Sequence, residues 1–297
     1  MKISVCIASI GRVSLIDTLT SIADCELPAD ITLEVVIADD SLEGSVRALL
    51  CDVKSTWKFQ LGVYQSASKN IAIARNVCLS NATGDYLAFI DDDETADKMW
   101  LYNYLHIAEK TGADAIIGGT VAIYPADGLK WICEAKPFGG RVVTSGEKVN
   151  TGATGNAFVK RKTIEKLSLR FDPTLGQSGG EDTVFFAELH QMGGQLIATN
   201  EAKVFELIPL HRLTIKHLQS RYIRGGQTYA RIFISSLTPT RKFRAYFLSV
   251  IKVIILFVAI PLVFVVRKDI ALKLGFKLWL NFGRLRHMLE LKLPKLY

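Results

Sequence analysis

Apolar residues in the first half of the chain fall in short runs rich in β-branched side chains, separated by stretches of helical spacing. Residues 2–9 (KISVCIAS) and 31–39 (ITLEVVIAD) are runs of strand length, and Ser14–Ala23 between them carries a helix-compatible pattern. Unbroken apolar runs predict strands buried on both faces, as in a parallel sheet. A third apolar stretch surrounds Phe59–Tyr64, a helical pattern covers Lys69–Asn81, and Asp85–Ile90 is a short buried-type strand. A helix then fits Ala96–Thr111 and a strand Asp114–Tyr124. Strands alternating with helices at this spacing predict βαβ units and a mostly parallel sheet flanked by helices, an α/β fold.

The order loosens after Tyr124. Residues 125–150 are polar and Gly-containing, with Trp131 and Phe138 embedded, and read as a loop over a site. Gly152–Lys160 reads as a strand, Glu181–Met192 as a helix, Gln195–Leu207 as a strand, and Thr214–Ile234 as an Arg-rich helix. The tail differs again. Ala245–Val266 is 22 residues with one charge, Lys252, and one proline, Pro261, which is long enough to cross a bilayer. Both flanks are basic, Arg241, Lys242 and Arg244 before and Arg267 and Lys268 after, so a single span sets one of them against the positive-inside rule. Residues 270–297 interleave Lys and Arg with Leu, Phe and Trp, as an interfacial helix does. The expected organisation is an α/β domain over 1–210, its regular half over about 1–124 and its looser half over about 125–210. An Arg-rich helical linker over 211–240 and a membrane-associated helical segment over 241–297 follow.

Composition sharpens this picture. The 297 residues are 49% hydrophobic and 22% charged, which excludes a disordered chain. The net charge of +7 belongs to the tail: Arg241–Tyr297 holds twelve Lys/Arg against two Asp/Glu, leaving 24 basic and 27 acidic residues in 1–240. A mildly acidic body argues against a nucleic-acid partner. Five scattered cysteines, none at metal-ligand or redox spacing, fit a reduced, cytosolic chain. The opening residues, with one Lys and an apolar run cut by Gly11 and Arg12, read as a first strand rather than a secretion signal.

Two acidic motifs lie where a sheet of this type binds ligands, at the carboxyl ends of its strands, and a third opens a helix after a polar loop. Phe89-Ile90-Asp91-Asp92-Asp93-Glu94 places adjacent carboxylates that repel one another unless a cation or solvent relieves them, and hard oxygen ligands suit Mg²⁺ or Mn²⁺. The same run also fits a solvated loop that caps the next helix. Ala38-Asp39-Asp40-Ser41 fits a ribose or base edge, or simply a helix cap. Gly179-Gly180-Glu181-Asp182 opens a helix with two carboxylates; one can take a proton from an attacking hydroxyl, or the pair simply caps the helix.

Taken in order, VCIASIGR, ADDS, NIAIARN (Asn70–Asn76), FIDDDE, TGN (Thr154–Asn156), FDPTLGQSGGED (Phe171–Asp182) and ELIPLHR (Glu206–Arg212) make the chain resemble the inverting family-2 glycosyltransferases of the GT-A fold. Among these it is similar to membrane-associated bacterial enzymes of succinoglycan-type exopolysaccharide assembly. The resemblance covers about residues 1–240 and implies that 1–210 is the catalytic domain, with a nucleotide-binding half over about 1–124 and an acceptor half over about 125–210. It implies that Ser9, Asp40, Arg75, Asn76 and Asp91 bind the nucleotide-sugar donor and that Asp93 holds the divalent metal, with His211 as a further ligand. It implies Asp182 as general base, and Asn156 and Glu181 on the acceptor side. The processive synthases' Gln-x-x-Arg-Trp motif is replaced by Gln219-Ser220-Arg221-Tyr222-Ile223-Arg224, which implies transfer of a single sugar. Arg221 and Arg224 read either as facing phosphate, of the leaving diphosphate or of a lipid pyrophosphate, or as a solvated basic helix face. The implied partners are UDP-glucose, a polyprenyl-pyrophosphate-linked saccharide and membrane lipids met by 241–297, at the cytoplasmic face of the plasma membrane. A nucleotidyltransferase of related fold and a non-catalytic nucleotide or polysaccharide sensor remain as alternatives.

Overall fold

In chain order the first elements are β1 (Lys2–Ser9), α1 (Ser14–Ala23), β2 (Thr32–Asp39), α2 (Ser45–Cys51), β3 (Gln60–Gln65), α3 (Ile71–Asn81), β4 (Tyr86–Ile90), β5 (Glu94–Ala96), α4 (Trp100–Thr111), β6 (Ala115–Ile123) and α5 (Lys130–Glu134). They are followed by β7 (Asn156–Lys160), α6 (Arg161–Lys166), α7 (Glu181–Gln191), β8 (Leu196–Leu207), α8 (Ile215–Tyr229), α9 (Pro239–Val266) and α10 (Lys268–Met288). The structure is a computed structural model and describes residues 1–51, 53, 57–139 and 143–291. The end of the expected membrane segment, 292–297, lies outside the described residues.

Two compact units emerge. The first comprises Met1–Ala122, Gly139–Gln177 and Glu181–Leu207. Among the described residues its sheet has eight strands in the order β3-β2-β1-β4-β7-β6-β8-β5. β3, β2, β1 and β4 run parallel, as the apolar runs predict, with β1 central and almost wholly buried. Antiparallel pairing enters with β7 against β4 and continues with β6 against β7 and β5 against β8. One core cluster gathers Leu15, Leu19, Trp100, Tyr104 and Phe158; a second gathers Ala72, Cys78, Phe171, Phe185 and Phe186. The acidic loop leaves the carboxyl end of β4, the inner strand where parallel pairing gives way to antiparallel.

Local chemistry explains where the elements start. Asn70 caps α3, its Oδ1 accepting from the Ala72 and Ile73 amides at 3.1 and 3.2 Å. The expected helix at Ala96 begins only at Trp100, because Glu94–Ala96 pairs with β8 and Asp97 Oδ1 accepts from the Met99 amide at 2.9 Å. The expected strand from Gly152 begins only at Asn156.

The second unit comprises Ile123–Phe138, Ser178–Gly180 and Ile208–Tyr297. Part of the expected acceptor loop belongs here, with Lys130–Glu134 helical. The Arg-rich segment is not a free-standing linker: α8 packs on α10, and α10 on α9. A Cβ on Gly226 would stand 2.0 Å from the Leu280 carbonyl oxygen, and one on Gly283 2.0 Å from that of Ile223, so α8 and α10 cross backbone to backbone. Gly179 and Gly180 have φ of +77° and +93°, and a side chain on Gly180 would meet Thr228 Oγ1 at 2.7 Å. Only glycine admits that turn beneath α8.

Candidate active site

Each carboxylate of the acidic loop has its own partners. Asp92, 4% exposed, accepts from Ser9 Oγ at 2.6 Å and from Arg12 Nη1 at 2.9 Å, and Arg12 also reaches Asp93 Oδ2 at 3.3 Å. Burial raises the Asp92 carboxyl to about 6; Arg12 and Ser9 oppose the rise, and the charges of Asp93 and Asp91 add to it. Glu94 turns back into the loop, accepting from the Asp91 amide at 3.1 Å and from Thr120 Oγ1 at 3.2 Å. Burial and the Asp91 charge push its carboxyl well up. Arg12, Asp92 and Glu94, the residues that hold this loop, had no assigned role in the sequence. The isolated Arg after Gly11 and the buried-strand pattern were the available signals.

Arg75 joins this loop to α7. Its Nη2 lies 3.2 Å from Asp91 Oδ1 and its Nη1 pairs with Glu181 Oε1, with Arg75 and Glu181 6% and 4% exposed. Asp91, still 43% open at its side chain, is raised by partial desolvation against the pull of Arg75, with Asp93 and Asp182 adding repulsion. Glu181 is raised by burial, opposed by Arg75 and reinforced by Asp182. Asp182 is half-buried at the first turn of α7; its Oδ1 accepts from the Thr183 amide at 2.6 Å and from Thr183 Oγ1 at 3.2 Å. Asp91, Asp93, Arg75, Glu181 and Asp182 thus form one electrostatic cluster. Among the described residues, two buried side-chain atoms in this unit, Glu181 Oε2 and Thr154 Oγ1, have no hydrogen-bond partner.

Other expected ligand contacts are committed to the protein itself. Ser9 donates to Asp92 and accepts from the Gly11 amide at 3.0 Å. Asp40 Oδ1 accepts from Ser66 Oγ, Ser68 N and Ser68 Oγ at 2.6–3.0 Å and its Oδ2 from Asn70 N at 2.7 Å, which fixes the turn before α3. Asn76 exchanges two hydrogen bonds with the Phe171 backbone, at 2.8 and 2.9 Å. Asn156, 2% exposed, accepts from Trp100 Nε1 at 2.8 Å and Tyr104 OH at 2.5 Å, and donates to the carbonyls of Gly119 and Ala202 at 3.0 and 2.8 Å. All four hydrogen-bonding positions of its amide are thereby used inside the sheet.

His211, Arg221 and Arg224 belong to the second unit. His211 is exposed on a short 3₁₀ turn, Leu210–Arg212. Arg221 lies over the Phe138 ring at 4.8 Å, and Arg224 Nη1 donates to the Ser178 carbonyl at 3.2 Å. Burial lowers the pKa of His217, and the charges of Arg212, Arg221, His211 and Arg224 lower it further, which marks them as one cationic cluster.

No group of three His, Cys, Asp or Glu side chains poised to hold a metal occurs among the described residues. The donor set nevertheless fits a divalent cation. The charges of Asp93 and Asp182 both act on Asp91, and hard cations of the Mg²⁺ type take one or two carboxylates and complete their shell with phosphate and water.

The Glycosyl transferase family 2 profile matches residues 4–168, more than half the chain, which takes in β1, the acidic loop and β7. The chain belongs to glycosyl transferase family 2. This enzyme is 37% identical over 232 residues to the succinoglycan biosynthesis protein ExoM of Rhizobium meliloti (strain 1021), covering 78% of its own length and 75% of ExoM. In fold it resembles the mannosyltransferase PcManGT from Pyrobaculum calidifontis, solved with GDP-Man and Mn²⁺, at 16% identity and a TM-score of 0.64, covering 98% of this chain and 88% of that one. It also resembles residues 1–349 of S. aureus TarS, solved with UDP-GlcNAc, at 13% identity and a TM-score of 0.54, covering 99% and 93%. The enzyme is a glycosyltransferase of the GT-A fold related to succinoglycan biosynthesis, and family membership decides against the nucleotidyltransferase.

Proposed function

We propose that the enzyme is an inverting, non-processive hexosyltransferase that moves one glucose from UDP-glucose to a polyprenyl-pyrophosphate-linked saccharide during cell-surface polysaccharide assembly. The observation that carries this reading is Arg75, buried and paired on one side with Asp91 and on the other with Glu181. One guanidinium thereby ties the donor-side acidic loop to the helix end that presents Asp182. A donor sugar held at Asp91 and an acceptor hydroxyl at Asp182 then meet in fixed geometry, which removes much of the entropic cost of attack. Asp182 takes the hydroxyl proton as the acceptor attacks the anomeric carbon from the face opposite the leaving diphosphate, and configuration inverts. General-base assistance of this kind supplies ~10²–10⁴-fold in rate.

Glu181 Oε2 and Thr154 Oγ1, the buried atoms without partners, are the protein groups best suited to sugar hydroxyls. Asp91 and Asp93 would hold a divalent cation, Mg²⁺ or Mn²⁺, whose chemistry when bound is to neutralise charge on the departing nucleoside diphosphate. Ser9, Asp40, Asn76 and Asn156 act one step back, holding the loops and strands that carry these groups. Arg221 and Arg224 are assigned to phosphate of the lipid-linked acceptor.

The apolar helix α9 and the basic tail support work at a membrane, with the catalytic unit on the cytoplasmic side, where nucleotide sugars are made and where five unpaired cysteines persist. The test is transfer of label to lipid by membranes containing the enzyme, supplied with UDP-[¹⁴C]glucose and other labelled nucleotide sugars in parallel, Mg²⁺ or Mn²⁺, and lipid-linked saccharides. Label in the lipid fraction that disappears with Asp182→Asn supports the proposal and names the donor. Label carried equally by the variant overturns it.

A further inference from the structure

α9 carries the largest exposed apolar surface of the second unit. It is long and apolar enough to cross a membrane, with only 6% of its apolar window buried. Its more covered positions, Ala245, Ser249, Val253, Leu256, Ile260 and Val263, recur every three or four residues and form one stripe. α10 is the element α9 packs on. Only Arg267 separates the two helices, and the far end of α10 returns to the start of α9, where His287 Nε2 lies 3.0 Å from Ser235 Oγ. The pair is an antiparallel hairpin.

That hairpin restricts how α9 can meet a bilayer. α10 carries Lys268, Asp269, Lys273, Lys277, Arg284 and Arg286. At ~1.5 Å per residue, Lys273 and Lys277 stand about 8 and 14 Å from the turn, alongside the apolar middle of α9, and both are exposed. If α9 crossed a hydrocarbon core about 30 Å thick, Lys277 would be carried near its midplane. The backbone crossing at Gly226 and Gly283 would draw α8, with its arginines, in behind it.

The charges around α9 fit a different placement. Lys252 follows Ser249 by three residues and precedes Leu256 by four, so it lies on the side of the packed stripe. The opposite face, with Phe247, Ile254, Val258 and Val265 exposed, carries no charge from Ala245 to Val266. Arg241, Lys242 and Arg244 at one end and Arg267 and Lys268 at the other then reach the same layer of headgroups.

We infer that α9 does not cross the membrane but lies along an anionic lipid surface, its outer face in the headgroup–acyl boundary and both of its ends on the same side. The inference rests on the membrane-bound reading proposed above and specifies its geometry.

The test adds full-length enzyme to sealed vesicles of phosphatidylcholine, with and without phosphatidylglycerol. Bound protein is treated with a membrane-impermeant amine reagent before and after detergent opening, and labelled lysines are located by mass spectrometry. Labelling of both Lys242 and Lys268 in sealed vesicles, raised less than about twofold by opening, is the expected result, with tighter binding to the anionic vesicles. Protection of one of the two until the vesicles are opened would overturn the inference and leave the membrane reading intact. Failure to bind either vesicle would overturn both. The double variant Ile254→Glu/Val258→Glu, on the outer face, should weaken vesicle binding by on the order of tenfold or more with an unchanged thermal midpoint. Unchanged binding, or a soluble dimer that this variant dissociates, would overturn the interfacial placement.

Discussion

Arg75 of α3 and Glu181 of α7 form a buried ion pair, and the second arm of the same guanidinium reaches Asp91 Oδ1 at 3.2 Å. Removing one member strands a buried charge, a loss of about 3–5 kcal/mol. Arg75→Ala is therefore expected to lose stability on that scale in chemical denaturation and to lose transfer with it. Glu181→Gln added to Arg75→Ala should recover part of the stability and none of the activity, because it removes the stranded charge without rebuilding the bridge. Arg75→Lys keeps the charge but cannot reach two carboxylates with one planar fork, so it should fall between.

Asp182 separates binding from chemistry. Its side chain sits outside the Arg75 bridge, and Thr183 already donates to Oδ1. Asp182→Asn is expected to leave donor affinity within about twofold by calorimetry while turnover falls ~10²–10⁴-fold. A matching loss of affinity would move Asp182 to the donor side.

Asp93 and Asp92 adjoin in sequence and share Arg12, but differ in burial. Asp92 is buried against Ser9 and Arg12, whereas the Asp93 side chain is 24% exposed. Asp93→Ala should abolish the metal dependence of donor binding with a modest effect on the thermal midpoint. Asp92→Ala should destabilise the enzyme, by about 1–3 kcal/mol for the buried donors left unpaired. Titration of Mn²⁺ in the presence of UDP, read by calorimetry, distinguishes the two.

Much of the fold is legible in the chain because central parallel strands are apolar on both faces; β1 and β2 show this directly. The place of the acidic loop at the end of β4 was legible too, from the buried apolar run ahead of it, although its carboxylates alone fit a solvated helix cap equally well. What the pattern does not carry is which oxygens remain for a ligand. Ser9 meets Asp92 because β1 lies beside β4, 83 residues away in sequence, and strand order is not written in periodicity. Asp40 appeared open for the same reason: its four donors come from residues 66–70, a turn brought to it by the pairing of β2 with β3. The antiparallel half of the sheet was missed where strands are short or begin late, as β5 and β7 do.

Glu34 gives the pH dependence a sign. It accepts from Ser4 Oγ at 2.5 Å and from Thr83 N and Oγ1 at 2.7 and 2.9 Å, and it pairs with Lys2 at 2.5 Å. Burial alone would raise its carboxyl, but the bonds from Lys2, Ser4 and Thr83 outweigh burial and hold it at about 2. A depressed carboxyl stabilises the fold above its unfolded pKa, and that stability is lost as pH falls through the folded value. Glu34→Gln should therefore cost about 2–3 kcal/mol at neutral pH, allowing for the partial exposure of Lys2. The gap between variant and wild type should close between pH ~4.5 and ~2 in denaturation curves.

Asn156 tests the reassignment of a residue the sequence placed at the acceptor. Its side chain joins α4, β6 and β8 through Trp100, Tyr104, Gly119 and Ala202, and 2% of it is exposed. Asn156→Ala leaves an indole N–H, a phenol and two carbonyls unpaired in the core, each worth about 1–3 kcal/mol and not fully additive. The variant is expected to lose several kcal/mol in urea denaturation. In the fraction that stays folded at low temperature, KM for the acceptor should be unchanged, since all four hydrogen-bonding positions of the Asn156 amide are taken within the core. A raised acceptor KM with intact stability would return Asn156 to the binding site and would mean that the amide breaks its four internal bonds when substrate arrives.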